Sequence, residues 1–513
     1  MTNLSPLVMG LDCSTSSCKA VVWDCCGNVI ARGQSSLAMI TPQPGWHEQP
    51  AKSWWEATVQ SIRQAVSQVD GRLLRGVCIA HQRETFVPVD EHGQPLSNAI
   101  IWMDERARDI LPDLEKAFGQ ETFHRITGKR LSVNLTIAKI AWLKQYRPDI
   151  FALTSKYLDV HSFLVHQLTG LYRTGWGCAD PTGMFDIQSN AWAESLLSQV
   201  GIRLDQLPEL YPPGMVLGTV LPSAAEACGL PADLPVVAGI GDGQASGLGV
   251  NITTPGEAYL SLGTSVISGT YSDKYVFNPA FRTMTGGIAG SYLLETVLLG
   301  GGYTLAWFME KMAAQPGQDV EQLQAYYDQA ASELGPGSAG MVVVPYWNSV
   351  LGPYWDPAAS GIIVGWRGFH QLTHLYRAIL EGVAFEQHLG TLGVEKALGD
   401  PVQRYIAMGG GAQSHLWCQI IADVNNKPVF RAATTDAAAL GAGILAATAA
   451  GCFANARQAA QEMSQILPEP IEPDPLRHDF YNRLFEEVYR PLFPALQLYL
   501  DRLASMSDFN PPV

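Results

Sequence analysis

The chain has 513 residues, of which 47% are hydrophobic and 16% charged, so it is long enough for two large domains and too apolar to be disordered as a whole. Its 33 Lys and Arg residues against 48 Asp and Glu leave a net charge of -15, which disfavours nucleic acid and anionic membranes as partners. No apolar run approaches the ~18 residues of a membrane span, and the opening MTNLSPLVMG lacks the pattern of an export signal, so we expect a cytoplasmic protein.

The nine cysteines show no C-x-x-C pair and no spacing typical of a zinc site. Reduced thiols in a cytosolic protein are therefore the expected state of these residues.

The first predicted unit is a strand, a polar turn and a second strand, in LVMGLDCSTSSCKAVVWD at residues 7–24. A tight turn at residues 26–28 then leads into a third strand at 29–32. The first turn is rich in hydroxyl and backbone N–H groups, which suit phosphate oxygens. Asp12, just before this turn, would hold Mg2+ through water, and Lys19 would neutralise phosphate charge. A surface hairpin is the alternative, because no Walker A sequence is present.

The segment HQRETF at residues 81–86 follows a predicted strand that ends at Ala80. Arg83 and Glu84 offer donors and acceptors suited to the vicinal hydroxyls of a sugar, and a solvated ion pair is the alternative. Trp102 is either an apolar wall for a sugar face or a core tryptophan. This part of the sequence does not decide between these interpretations.

The stretch VVAGIGDGQASGLG, residues 236–249, places one carboxylate, Asp242, among five glycines. A dinucleotide-binding turn is excluded by spacing, since G-x-G-x-x-G/A would need Gly or Ala where Gln244 or Ser246 stands. A helix N-cap remains open, because Asp is a favoured capping residue. The glycines would also let a ligand approach the backbone closely.

The segment EAYLSLGTSVISGTYSD repeats the first unit, with strands on either side of a turn at residues 263–265. Two such turns, about one domain apart, suggest two similar halves that hold one polyphosphate. The glycine run at residues 409–411 would allow a nucleotide close to the backbone, or would simply make a tight strand-to-helix connection.

Helix-like and strand-like stretches alternate along the chain, which indicates an α/β architecture. We expect helices at residues 53–66, 136–146, 414–424 (with Leu416, Ile420, Ile421 and Val424 facing inward) and 480–503, strands at 76–80 and 404–408, and a short frayed C-terminal tail. The glycine-rich passage after Asp242 places a domain boundary near residue 250, which gives domains at 1–249 and 250–513.

Together these pieces resemble the FGGY family of carbohydrate kinases over nearly the whole chain. The motifs that carry the resemblance are LDCSTSSCKAVVWD, NLTIAKIAWL, LSLGTS, PYWDPAASGIIVGW with LYRAILEGVAF, and MGGGAQSHLWCQIIADV, in the order of the family. The resemblance implies two ribonuclease H-like domains of the actin, hexokinase and heat-shock ATPase type, with ATP and a sugar in the central cleft. A chaperone-like or filament ATPase on the same fold is the alternative from a different class.

The resemblance also implies a role for individual residues. Asp242 matches the catalytic base, which accepts the proton of the attacking hydroxyl. With the interpretations above, the expected substrate contacts are Arg83, Glu84, Trp102, Asn134 and Asp242, and Asp12 is the expected metal site. The implied nucleotide contacts are Thr15, Ser16, Lys19, Thr264, Gly302, Gly410 and Gly411. Ser14 stands where many members have Gly, so the local backbone is expected to differ there.

The choice of sugar rests on conflicting motifs. The QRET segment resembles glycerol kinases, whereas Asn134 replaces the aromatic that glycerol kinases carry, and GWHEQPAKSWWEAT resembles the xylulokinase branch. We favour a kinase of a ketopentose, D-xylulose, over glycerol kinase or another polyol or ketose kinase. The expected partners are ATP and a small sugar or polyol, with no nucleic acid and no membrane. The sequence does not reveal the oligomeric state, and a homodimer is one option.

Overall fold

The computed structural model describes residues 6–314 and 320–506, and within them two six-stranded mixed sheets form the framework. The strands of the first half are β1 (Leu7–Cys13), β2 (Ser17–Asp24), β3 (Val29–Ser36), β4 (Glu48–Gln49), β5 (Leu74–His81), β6 (Phe86–Val89), β7 (Ala99–Ile100), β8 (Lys156–Asp159), β9 (Arg173–Gly175), β10 (Phe185–Asp186), β11 (Ala191–Trp192), β12 (Glu209–Tyr211), β13 (Val216–Thr219) and β14 (Pro235–Gly241). The helices of the first half are α1 (Ala51–Val66), α2 (Leu111–Phe118), α3 (Gln120–Thr127), α4 (Thr136–Tyr146), α5 (Pro148–Leu153), α6 (Val160–Thr169), α7 (Trp176–Ala179), α8 (Glu194–Val200), α9 (Pro222–Cys228) and α10 (Asp242–Gly249).

The second half has the same alternation of strands and helices. Its strands are β15 (Glu257–Leu262), β16 (Val266–Ser272), β17 (Arg282–Thr285), β18 (Tyr292–Leu298), β19 (Val342–Val344), β20 (Ile362–Val364), β21 (Arg404–Met408) and β22 (Val429–Arg431). Its helices are α11 (Gly301–Phe308), α12 (Val320–Ser332), α13 (Leu372–Leu398), α14 (His415–Asn425), α15 (Ala437–Ala449), α16 (Ala456–Met463), α17 (Pro475–Leu484) and α18 (Arg490–Met506).

The two sheets share one pairing pattern. The first has the strand order β13-β14-β5-β1-β2-β3, and the second β17-β18-β16-β15-β21-β22. In the first, β1 pairs antiparallel with β2 and parallel with β5. In the second, β15 pairs antiparallel with β16 and parallel with β21. Each predicted strand–turn–strand unit therefore lies inside a sheet, with a parallel strand beside it.

Apolar runs explain why the central strands are buried on both faces. Six of the seven residues of β1, LVMGLDC, are buried, which is the pattern of a strand covered by helices on both sides. In α1 the buried residues Trp54, Thr58, Ser61, Ile62 and Ala65 recur at helical spacing and form one face. The first sheet thus has a core of its own, to which α1 contributes Trp54 and Ile62.

Helix α15 joins the two halves. It comes from the second half of the chain, yet its Leu440 and Ile444 share a hydrophobic cluster with Val8 of β1 and Cys78 of β5. The glycine at position 10, in β1, permits this close packing, because a Cβ on Gly10 would lie 1.9 Å from the carbonyl oxygen of Ala439 in α15. The domain boundary near residue 250 stays a prediction.

Most sequence-based element bounds lie within two residues of the observed ones. The helix predicted at 136–146 and the strand at 404–408 are α4 and β21 as observed. Ile420, Ile421 and Val424 of α14 are buried as expected, and Leu416 is partly buried. None of the described helices is long and apolar enough to cross a bilayer. All nine cysteines are free thiols.

The single helix predicted at 480–503 is wrong in detail. A π-helical segment, Phe485–Tyr489, separates α17 from α18. The wider π-helical turn places its first and last residues, Phe485 and Tyr489, in the core. There the Tyr489 hydroxyl donates a 2.7 Å hydrogen bond to Glu386 Oε1. The predicted frayed tail falls mostly on residues 507–513, which lie outside the described residues.

Candidate active site

Asp12 is the last but one residue of β1 and lies beside Lys19 of β2 and Ala80 of β5 in the sheet register. Although the residue is partly exposed, its Oδ1 atom is buried and has no hydrogen-bond partner among the described residues. Burial, reinforced by Asp242 and opposed by Lys19, raises the pKa of Asp12 to about 7. A buried, unpaired carboxylate oxygen is the kind of group that a bound cation satisfies.

Lys19 is held at the edge of this site by a residue that the sequence analysis missed. Its Nζ lies 3.4 Å from Oδ1 of Asp436, whose Oδ2 is 3.0 Å from Nε of Arg32. Asp436 immediately precedes α15, so the second half of the chain places a carboxylate beside the first polar turn. Nothing in the spacing of the sequence links Lys19 with Asp436.

Asp242 begins α10 directly after β14. Its Oδ1 accepts a 2.8 Å hydrogen bond from the Gly243 N–H and lies 3.1 Å from Nε of Arg83. Within the described chain no group pairs with Oδ2, and the side chain is 40% exposed. The capping position is Gly241, and among the described backbone N–H groups only that of the adjacent Gly243 donates to Asp242, so the N-cap interpretation is wrong.

Arg83 and Glu84 are both buried, so they do not form the solvated ion pair that was the alternative. Arg83 NH1 donates to both oxygens of Glu295, at 3.0 and 3.2 Å, and Glu84 Oε1 accepts from Arg282 at 3.0 Å. Burial by itself would raise the pKa of Glu295, but Arg282 and Arg83 outweigh it and lower the pKa to about 2. These four side chains therefore form one charged cluster between the two sheets, and Arg83 connects it to Asp242.

The backbone of Glu84 is also held in place, by a hydrogen bond from a buried lysine. Glu84 has φ 53°, a conformation that is uncommon outside glycine and clusters at functional sites. Nζ of the buried Lys139 donates to the carbonyl oxygens of Ile101 at 2.7 Å and of Glu84 at 3.3 Å. Burial lowers the pKa of Lys139 to about 7, with Asp104 and Glu84 opposing it. Lys139 lies in the segment NLTIAKIAWL, so this segment supports the acceptor side of the site.

Trp102 connects the QRET segment with the first polar turn, since its backbone N–H donates a 3.0 Å hydrogen bond to Thr85 Oγ1. Its Nε1 donates a 2.9 Å hydrogen bond to Thr15 Oγ1, and its carbonyl oxygen accepts a 3.0 Å bond from Nδ2 of Asn134. The ring is half-buried, so it is not a simple core tryptophan. Ser16, next to Thr15, is exposed at the tip of the turn. Asn134, Trp102 and Thr15 thus form one hydrogen-bonded row.

The second polar turn lies beside the start of α11. Thr264 is exposed, and its carbonyl oxygen accepts a 2.8 Å hydrogen bond from the Tyr303 N–H. A Cβ on Gly302 would lie 2.1 Å from the Gly263 carbonyl oxygen, so only glycine permits this contact. The sequence-predicted nucleotide contacts Thr264 and Gly302 are therefore brought together.

The glycine run after β21 adjoins the same turn. Because β15 and β21 are parallel, their carboxyl ends meet at one edge of the second sheet. Gly410 is exposed there, and a Cβ on Gly411 would lie 2.8 Å from Cβ of Leu262, the last residue of β15. The run is thus a tight connection into the 3-10 turn at Gly410–Gln413, and the nucleotide contact stays a prediction.

Models of the FGGY family of carbohydrate kinases match two parts of the chain. The model of the N-terminal domain matches residues 7–249, and that of the C-terminal domain matches residues 258–450. The chain belongs to the FGGY family of carbohydrate kinases. It is an ATP-dependent sugar kinase, and the alternative of a chaperone-like or filament ATPase is set aside.

Relatives and solved structures of this family agree on the fold. The chain is 28% identical to a xylulose kinase of Bacillus subtilis over 459 residues, which cover 89% of this chain and 90% of the relative. A crystal structure of xylulose kinase from Rhodospirillum rubrum superposes with a TM-score of 0.90 at 27% identity, covering 97% of this chain and 100% of the other. The predicted two-domain α/β fold is therefore confirmed.

Other FGGY relatives of similar identity carry different substrate names. A gluconokinase of Bacillus licheniformis is 26% identical over 453 residues, which cover 87% of this chain and 88% of the relative. A glycerol kinase of Delftia acidovorans is 28% identical over 483 residues, which cover 90% and 93%. Family membership therefore fixes the reaction and leaves the acceptor to be argued from the residues of the site.

Three residues of the charged cluster and its surroundings were missed by sequence reasoning. Glu295 stands in the apolar strand YLLETVL, where a buried charge is itself a signal, because such charges are rarely buried unless paired. Arg282 and Asp436 carry no comparable signal, since each gains its role only from residues distant in the chain.

Proposed function

We propose that this kinase transfers the γ-phosphate of ATP to a hydroxyl of a ketopentose, D-xylulose, with Asp242 as the general base. The observation that carries the proposal is the asymmetry of the Asp242 carboxylate. Oδ1 is held by Gly243 and Arg83, whereas Oδ2 is unpaired within the described residues and the side chain is 40% exposed. A base fixed through one oxygen presents the other to the proton of an acceptor hydroxyl.

The nucleotide would lie between the two polar turns. Thr15, Ser16 and Lys19 on one side and Thr264, Gly302, Gly410 and Gly411 on the other would contact its phosphates and its nucleoside. Exposure of Ser16, Thr264 and Gly410 supports this arrangement, since all three remain available to a ligand. Phosphoryl transfer depends on positioning and charge neutralisation rather than on covalent chemistry, which such turns provide.

Mg2+ would be held near Asp12, through water. The buried, unpaired Oδ1 atom fits a hard cation, and Mg2+ usually keeps several waters and takes only one or two protein carboxylates. When bound, the ion would neutralise charge on the transferred phosphate.

The acceptor would bind through Arg83, Glu84, Trp102 and Asn134. Asn134 leaves a wider and more polar pocket than the aromatic expected for a three-carbon polyol, which supports the ketopentose. Glycerol remains the second candidate, because the QRET segment resembles glycerol kinases and a relative carries that name. The free thiols agree with a cytoplasmic location, which we retain as part of the proposal, and a homodimer stays open.

The general-base role is tested with Asp242→Asn. The amide keeps the shape of the side chain but does not accept the proton, so kcat should fall by ~10² or more while ATP binding persists. A loss of less than ~10-fold would exclude this role.

The acceptor is tested with a panel of D-xylulose, glycerol and D-gluconate, measured as acceptor-dependent ADP release. We expect the highest kcat/KM with D-xylulose. Glycerol as the best acceptor would replace the ketopentose by the second candidate.

A further inference from the structure

The second sheet contributes two charged side chains to the acceptor side of the site. Arg282 of β17 and Glu295 of β18 are directly opposite each other in the antiparallel register, so their side chains share one face. That face points across to the first half of the chain, where Arg282 contacts Glu84 and Glu295 contacts Arg83. Two residues far from the QRET segment therefore determine the surroundings of its two charges.

Arg282 forms a hydrogen bond with one of the two carboxylate oxygens of Glu84. Its NH1 donates to Glu84 Oε1 at 3.0 Å, while its Nε donates to Glu295 Oε1 at 2.6 Å. Glu84 Oε2 has no partner within residues 6–314 and 320–506. Arg282 is also the most accessible of the four side chains, with 23% exposure against 7% or less for Arg83, Glu84 and Glu295. An acceptor that reaches Glu84 would also reach Arg282.

We propose that Arg282 is a specificity-determining residue of the acceptor site because it orients Glu84, and that the charged cluster to which both belong selects an uncharged polyhydroxylated acceptor over a sugar acid. The inference rests on the proposed function of the same site. A hydroxyl donates to the free Oε2 of Glu84 and accepts from Arg282, which matches the single unpaired oxygen of this pair.

The charge of the cluster opposes an anionic acceptor. Arg83 and Arg282 carry two positive charges, and Glu84, Glu295 and Asp242 carry three negative ones, so these five side chains have an excess of one negative charge. The two lysines nearby do not offset it, because Lys129 pairs with Asp180, and Lys139 lies with Arg106 beside the carboxylates of Asp104 and Glu48. A carboxylate substrate would thus meet like charge, since the carboxylates of the chain already balance the positive charges of both arginines.

The contact between Arg282 and Glu84 is tested by a double-mutant cycle on acceptor kinetics. The variants are Arg282→Gln, Glu84→Gln and the double variant, with KM and kcat measured for D-xylulose, glycerol, D-gluconate and ATP. Arg282→Gln should raise the KM of the neutral acceptor by ~10-fold or more and change the KM of ATP by less than about twofold. In the Glu84→Gln background the same change should have an effect at least about fivefold smaller, because the shared contact is already lost.

The matched control is Arg404→Gln. Arg404 pairs with Glu257 in the same sheet, away from the cluster, so its replacement should leave all four KM values unchanged. If Arg282→Gln does not fold, Arg282→Lys replaces it, since lysine keeps the charge but does not span both carboxylates.

Three outcomes are distinguishable. Unchanged acceptor KM in Arg282→Gln, or equal effects in both backgrounds, would overturn the role of Arg282. A wild-type preference for D-gluconate over both neutral acceptors would overturn the selection against acids. Absence of turnover with every acceptor would instead remove the proposed function on which the inference rests.

Discussion

Glu295 is the residue on which the charges of both sheets converge. Its carboxylate is fully buried and accepts hydrogen bonds from Arg83, Arg282 and the Tyr259 hydroxyl, the last at 3.1 Å. Replacement of one partner of a buried ionic cluster leaves the other charges uncompensated, which costs more than the loss of an exposed pair. The contribution of Glu295 to stability can therefore be measured independently of its contact with the acceptor site.

We predict that Glu295→Gln lowers the free energy of unfolding by about 3 kcal/mol at neutral pH, since the pKa falls from 4.5 to about 2. Because the folded pKa lies below the ordinary one, this stability is complete above pH 4.5 and is lost as the pH falls towards 2. The difference between wild type and variant, measured by urea unfolding, should shrink over that range. Exposed Glu310→Gln is the control, with less than about 0.5 kcal/mol of effect. A difference independent of pH would contradict the assigned ionisation.

The charge of Asp12, unlike that of Glu295, lowers the stability of the folded protein while it serves the proposed function. Its buried Oδ1 has no partner, and burial together with Asp242 disfavours the charged form. We predict that Asp12→Asn raises the melting temperature of the metal-free protein by about 2 °C or more, while turnover with Mg-ATP is lost. Differential scanning calorimetry with and without Mg2+ measures the first effect. The exposed Asp70→Asn serves as control, and a variant with normal Mg2+ dependence would refute the role of Asp12.

Helices α10 and α15 are the elements whose packing orients Asp242. A Cβ on Gly441 of α15 would lie 1.9 Å from the Ala245 carbonyl oxygen, and one on Gly249 of α10 would lie 2.0 Å from that of Ala437. The two helix backbones therefore touch at two glycines. Larger side chains at either position would separate the helices and move the first residue of α10.

We predict that Gly441→Ala destabilises the protein by about 1 to 3 kcal/mol, although alanine is the better helix former by roughly 1 kcal/mol. The displaced backbone should also reduce kcat. Chemical denaturation and steady-state kinetics measure the two effects. The control is Gly335→Ala, where an added Cβ meets no atom within 4 Å. An unchanged unfolding midpoint for Gly441→Ala would mean that the two helices do not pack so closely.

At the scale of the whole molecule, β17 is a strand of the second sheet that contacts the first half of the chain at several points. Besides Arg282, its Thr283 carbonyl oxygen accepts a 3.0 Å hydrogen bond from Nζ of the buried Lys129, and its Thr285 N–H donates to Asp180 Oδ2 at 2.9 Å. Lys129 and Asp180 are themselves paired at 2.5 Å. This pair joins the halves beside the charged cluster, so loss of one member should loosen the whole interface.

We predict that Lys129→Met and Asp180→Asn each destabilise the protein by about 3 to 5 kcal/mol, because each leaves one buried charge unpaired. The double variant should be less destabilised than either single one, since no charge remains and the Asn oxygen still accepts from Thr285. Urea unfolding followed by tryptophan fluorescence measures all four proteins. Additive losses would show that the two charges do not interact.

The sequence by itself determined the elements and the kind of site. Local patterns suffice where one stretch carries its own signal, as in the strand at Arg404–Met408, the helix at Thr136–Tyr146 and the two polar turns, because periodicity and turn chemistry are properties of neighbouring residues. The resemblance to the family likewise rested on contiguous motifs. The proposed roles of Asp242 and Asp12 came from this level and stay predictions.

Only the tertiary structure decided which charges meet. Arg83 pairs with Glu295 and Glu84 with Arg282, contacts that span 212 and 198 residues of chain, and Lys19 pairs with Asp436 across 417. No local pattern encodes such pairs, because they arise from two sheets and the helices between them being packed together. The same packing excludes the solvated Arg83–Glu84 ion pair, which was the alternative interpretation, and places both residues in a buried cluster to which both halves contribute. A buried charge is tolerated only where other residues supply its counter-charge.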